Sequence, residues 1–160
     1  MNADRDEAIG LLTPPQVTSG DIIGKTEHDD LRPEHHWRWR MRFAERIAAS
    51  LDPERFGVAA LYVLGSTKNA SAGPASDIDL LVHFRGTEQQ LAALQIWLQG
   101  WSLCLSEVNF LRTGYHSDGL LDVHVITDED IERKTSYAVK IGAVTDPARL
   151  LPLGGDRKPE

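Results

Sequence analysis

Apolar positions along the chain recur with two periods. In "PEHHWRWRMRFAERIAASL", Pro33 to Leu51, the residues Trp37, Met41, Ala44, Ala48 and Leu51 fall three and four apart, and a proline suits a first turn. The spacing predicts a helix whose stripe faces the core. Arg38, Arg42 and Arg46 lie on its other face near Glu34 and Glu45 and read as a solvated surface. After the turn "DPERFG", the runs "VAALYVLG" and "DIDLLVHF" predict two buried strands, joined by a loop of small and polar residues from Gly65 to Ser76. Thr87 with Gln90 forms a capping box ahead of Leu91, Leu94, Leu98 and Trp101, which predicts a second helix. "SLCLSEVNFLR" reads as a further strand broken near Ser106, and "LLDVHVIT", after the Ser-Asp-Gly turn at 117–119, as another. Thr127 with Asp130 then caps a last helix to about Lys140, with Ile131, Ala138 and Val139 as core candidates. The order α-β-β-α-β-β-α predicts an α+β sheet with helices on one face.

Composition adds boundaries. A chain of 160 residues suffices for one ordinary core. Residues 1–32 mix charge, Gly and Pro without period and read as a loose arm; 151–160 read as a tail; 33–150 hold the domain. A formal charge of −7 argues against a protein that grips nucleic acid by neutralising phosphates. The N-terminus has no basic region followed by an apolar core, and no stretch approaches membrane-spanning length, so the expectation is a soluble, cytoplasmic protein without a membrane partner. Cys104, the single cysteine, can form no intramolecular disulfide and is expected to be a small buried hydrophobe.

The candidate chemistry lies in three acids. On a strand, Asp77 and Asp79 share a face while Ile78, Leu80 and Val82 turn to the other and can pack the core. Two carboxylates that close repel unless a cation lies between them, and Mg²⁺ is a hard ion that takes one or two carboxylates and fills its other positions with water and phosphate. In "LLDVHVIT", Leu121, Val123 and Val125 form one face and leave Asp122 on the other. If that strand pairs beside "DIDLLVHF", the three carboxylates converge and could hold two metals about 4 Å apart for an in-line displacement. Gly65 lets the backbone approach a phosphate, Ser66 can donate to its oxygens, and Lys68 is near enough in sequence to add charge. Taken alone, Gly-Ser is an ordinary turn.

Together, "LGS", "DIDLLV" and the downstream "LDV" resemble the signature of the DNA polymerase beta-like nucleotidyltransferase superfamily, in the style of its minimal and kanamycin nucleotidyltransferase members. The resemblance implies a palm-like mixed sheet of about four or five strands flanked by helices. It implies nucleotide contacts at Gly65 and Ser66, with Lys68 outside the fixed signature, and metal ligands at Asp77, Asp79 and Asp122. The activity implied is Mg²⁺-dependent transfer of a nucleoside monophosphate, commonly AMP from ATP, to a hydroxyl or phosphate of a small molecule or protein, with release of pyrophosphate. Many relatives carry a second helical domain or partner that shapes the acceptor site. Here only one helix follows Asp122, so a homodimer or a helical partner protein is expected to complete it. Two other readings stay open: a nucleotide-binding regulatory module without turnover, and an antitoxin-like protein that nucleotidylates its partner.

Other residues have plainer readings. His124 shares the Asp122 face and His83 the Asp79 face, but a histidine on a half-buried strand is most often a structural hydrogen bonder. His35 and His36 are adjacent on a helix, so they point apart and make a poor metal pair. Trp37 belongs to the apolar stripe, and Trp97 and Trp101 share one helix face. Arg112, Tyr115 and His116 precede the Asp122 strand and could reach a ligand.

Overall fold

The structure is a computed structural model, and it describes residues 35–154. Its first helix, α1, spans His36–Ser50 and buries Trp39, Arg40, Met41, Ala44, Ile47 and Ala48, a stripe at helical spacing. One helical turn, α2, Pro53–Phe56, replaces the predicted simple turn: the Asp52 carboxylate accepts from the Arg55 N–H, and Gly57 closes the turn in the left-handed region at φ 67°. Strand β1, Val58–Leu64, runs into a second single turn, α3, Gly65–Lys68. A loop leads on to β2, Ile78–Phe84.

The largest departure from the sequence expectation follows. Residues 102–112, expected as a strand, are the second half of helix α4, which runs unbroken for 26 residues from Glu88 to Thr113. Its buried positions, Leu94, Leu98, Leu105, Ser106 and Asn109, keep helical spacing through Gly100 and past it. The Leu103/Leu105 alternation that suggested a strand places Leu105 at 1% exposure and Leu103 at 49%. A mid-helix glycine costs only about 1 kcal/mol, less than the roughly 1.5–3 kcal/mol from burying one further leucine. Cys104, expected to be buried, is exposed for the same reason. The capping box is present as predicted, and Gln90 Nε2 also donates to the carbonyls of Glu54 and Arg55, at 3.0 and 3.3 Å, tying α4 to α2.

Strand β3, Leu121–Ile126, precedes α5, Asp128–Arg133. The predicted capping box holds, but the helix ends at Lys134 in the left-handed region, well short of Lys140. A 3₁₀ turn, Ala138–Lys140, follows; Ile131 and Ala138 pack inward as expected, whereas Val139 is exposed. The last strand, β4, Arg149–Leu151, falls where a loose tail was expected to begin. It pairs antiparallel with β1, Leu151 opposite Leu61, and buries Leu151 and Leu153. The arm 1–32 and residues 155–160 lie outside the described residues.

Among the described residues the sheet has four strands, in the order β3-β2-β1-β4. β1 pairs antiparallel with β2 and with β4, while β2 and β3 are parallel. One face carries Val63, Ile78, Leu80 and Val82 into the main core under α1 and α4. The other carries Leu64, Leu81 and Ile126 into a smaller cluster with Ala138. This is the mixed α+β sheet expected, with one strand drawn from a different segment. No helix among the described residues is long and apolar enough to cross a membrane.

Candidate active site

The chain enters the site from the end of β1. Leu64 pairs with Asp79 across the sheet, so Gly65 leaves the strand beside that carboxylate. Gly65 has φ +62°, and a Cβ there would collide with Asp79 Oδ2, so the position needs glycine both for its backbone and for its space. The α3 turn then closes with Asn69 N donating to Gly65 O at 2.9 Å and Ser71 N to Ser66 O at 2.9 Å. Ser66 is half-buried and Thr67 buried.

Lys68 faces away from open solvent. Its Nζ donates to Asp146 Oδ1 at 2.7 Å, with only 12% of its side chain exposed. Asn69 Nδ2 reaches the same oxygen at 3.0 Å, and Lys140 Nζ takes Asp146 Oδ2 at 2.9 Å. These hydrogen bonds, that of Lys68 foremost, hold the Asp146 carboxyl well below the usual carboxylate range.

The parallel pairing of β2 and β3 makes Asp79 and Asp122 register partners. Both therefore project from one face, and His124 follows Asp122 on it. Asp79, Asp122 and His124 each offer a ligand atom, all within 4.8 Å of one another. His124 Nε2 is 3.4 Å from Asp122 Oδ2. Its ring stacks on Tyr137 at 3.8 Å between centroids and 16° between planes, which fixes its orientation. Two carboxylates and an imidazole could hold a divalent cation. His124, read from sequence as a structural hydrogen bonder, is thus in the group, and its alternation with Asp122 was the signal.

Asp77 lies just before β2, exposed, and outside that group of three. It still feels the group: burial and the Asp122 charge raise its pKa, and Arg40 opposes them. Asp79 is raised by burial first, then by Asp122, with His124 opposing and Asp77 adding. Like charges this close are held in the fold at a cost.

The sequence reading missed Arg40. It is fully buried, and its guanidinium donates to the carbonyls of Ser76 (3.0 Å), His36 (3.1 Å) and Pro74 (3.3 Å) and to Asn109 Oδ1 (2.9 Å). Burial, then Arg112, lowers its pKa to about 10, and Asp77 opposes. Arg40 falls three residues after Trp37 and four before Ala44, so it was the one cation at core spacing in that helix.

The remaining candidates have other described contacts. His83 Nε2 pairs with Asp128 Oδ1 at 2.7 Å, and Arg85 Nε donates to both Asp128 oxygens at 2.9 and 3.0 Å, so His83 is the structural hydrogen bonder expected. Arg112 lies 5.3 Å from the Trp39 ring, and His116 stacks on Phe110 at 3.8 Å. Tyr115 is exposed.

The fold and this acid-lined end of the sheet define a class, and the comparison of the chain with family models agrees. Residues 45–151 match the model of the nucleotidyltransferase domain. The span covers well over half the chain and contains Gly65, Ser66, Lys68, Asp77, Asp79 and Asp122. The chain belongs to that family and is a nucleotidyltransferase enzyme that takes a nucleotide substrate. No curated protein and no solved structure matches it.

Proposed function

We propose that this nucleotidyltransferase moves a nucleoside monophosphate, most simply AMP from ATP, onto a hydroxyl or phosphate acceptor, with Mg²⁺ held by Asp77, Asp79 and Asp122 beside His124. The observation that carries the reading is the register of Asp79 with Asp122 next to Gly65. The residues fit the ion. Oxygen donors dominate the set, and burial first, then the charge of Asp122, raises the pKa of both Asp77 and Asp79, a strain that a bound cation would relieve. When bound, Mg²⁺ supplies charge that draws the phosphates together and stabilises the attacking and leaving oxygens.

The chain's own groups do the positioning. Gly65 admits the triphosphate close to the backbone, the Ser66 hydroxyl donates to its oxygens, and Lys68 adds charge once a phosphate displaces Asp146. The acceptor oxygen bonds to the α-phosphorus, the bond from that phosphorus to the bridging oxygen breaks, and pyrophosphate departs. Asp122, which is exposed and in register with Asp79, takes the acceptor's proton in this reading. Rate enhancement then comes from orientation and charge, with no covalent enzyme intermediate.

The test is calorimetric titration with ATP, GTP, CTP and UTP, with and without Mg²⁺, on wild type and on Asp77→Asn/Asp79→Asn. Metal-dependent binding of one nucleotide, lost in the double variant, is expected. Equal binding by both proteins would sink the assignment, and tight binding without pyrophosphate release for any acceptor would favour a regulatory module.

A further inference from the structure

The loop that delivers Asp77 carries its own clamp. Between α3 and β2 the chain must cross from the end of one strand to the start of the next, and such a polar segment is held by whatever takes its carbonyls. Two side chains from separate helices take them here. Arg40, on α1, donates from Nε to Ser76 O and from Nη2 to Pro74 O. Asn109, on α4, donates from Nδ2 to Pro74 O at 2.9 Å and accepts from Arg40 Nη2 through Oδ1 at 2.9 Å. Both residues are at 0% exposure. The loop adds an internal tie, Gly73 N donating to Ser76 Oγ at 2.9 Å, and Ser76 O belongs to the residue directly before Asp77.

Burying a guanidinium is costly unless its donors are matched, and a fully matched one is rigid. The guanidinium supplies a planar fork that grips two loop carbonyls and the amide that grips one of them too, and it places a positive charge where Asp77 feels it. We propose that Arg40, with Asn109, is a positioning residue that presets Asp77 against Asp79 and Asp122, so that the third carboxylate is in place before a metal arrives. This rests on the metal reading above.

The expectation is testable through binding rather than turnover. Arg40→Lys keeps the charge but offers one ammonium where the guanidinium engaged four acceptors. It should weaken Mn²⁺ binding, followed by electron paramagnetic resonance, by about tenfold, as losses behind metal ligands do. In an Asp77→Asn background the same substitution should change Mn²⁺ affinity by less than about twofold, because its effect runs through Asp77. Amide exchange at Ser76 and Ile78 should quicken in metal-free Arg40→Lys while Leu80 and Val82 keep their protection. Asn109→Ala, which leaves the guanidinium in place, should move both readouts in the same direction and serves if Arg40→Lys does not fold. Equal losses in both backgrounds, or unchanged exchange at Ser76, overturn the role of Arg40. A wild type that binds no Mn²⁺ overturns the metal reading itself and this role with it.

Discussion

Gly65 and Asp79 share a space that admits one side chain: the carboxylate of Asp79 occupies the position a Cβ at residue 65 would take. Gly65→Ala therefore asks two things of the site at once, a left-handed backbone for an alanine and a new place for Asp79. The backbone alone costs about 1 kcal/mol. The variant should fold with a modestly lower Tm yet lose nucleotide transfer by at least about a hundredfold, since a displacement of about 1 Å costs that much. Thermal denaturation and pyrophosphate release check the two halves separately.

The pH dependence follows from the raised carboxyls. Asp79 and Asp77 have folded pKa values above their unfolded ones. The metal-free protein thus binds more protons folded than unfolded, and its stability rises as pH falls through the folded values. That gain is complete below the unfolded value of about 3.8 and is lost as pH rises through the folded pKa. Metal-free Asp79→Asn should melt higher than wild type at neutral pH, with the gap closing in acid. With Mn²⁺ the order reverses, because wild type alone is stabilised by ligand. Tm against pH, with and without metal, reads both.

Lys68 and Asp146 predict a competition. Asp146 is exposed and holds Lys68, Asn69 and Lys140 together, an arrangement that solvent screening leaves with little effect on stability. Asp146→Asn should barely change Tm while tightening ATP binding several-fold, as Lys68 is freed for phosphate. Lys68→Met should weaken ATP binding by about tenfold, the loss of one charge-assisted hydrogen bond. Calorimetry on the two variants decides it, and identical ATP affinities across both would remove Lys68 from the site.

Helix α4 makes a sharp contrast between neighbours. Leu105→Ala removes a side chain at 1% exposure and should cost about 2–5 kcal/mol. Leu103→Ala removes one at 49% exposure and should stay within about 0.5 kcal/mol. Denaturant melts of the pair test the helix directly, and native Cys104 should react with a thiol reagent without denaturant.

Local signals were legible where they were strong. The capping boxes at Thr87 and Thr127, the apolar strands β1 and β2 and the alternation around Asp122 each specify a local geometry, and the structure keeps it. What escaped was decided by tertiary contact. Gly100 and the Leu103/Leu105 pair look like a strand boundary in isolation, but the sheet face beneath Leu98 and Leu105 keeps the helix going. β4 has three residues and exists because β1 offers a free edge. Arg40 was hidden by its charge, since a cation on a helix reads as surface until its acceptors, Pro74 and Ser76, are brought beneath it.

The parallel pairing of β2 with β3 carries one more consequence, for the order in which the enzyme becomes itself. Strands that lie parallel need a crossover, and here the crossover is the whole of α4. Asp79 and Asp122 thus meet only after that helix has formed and docked, across one of the longer loop closures in the domain. A nascent or partly unfolded chain holds the two acids apart. Their pairing and the completed fold arrive together.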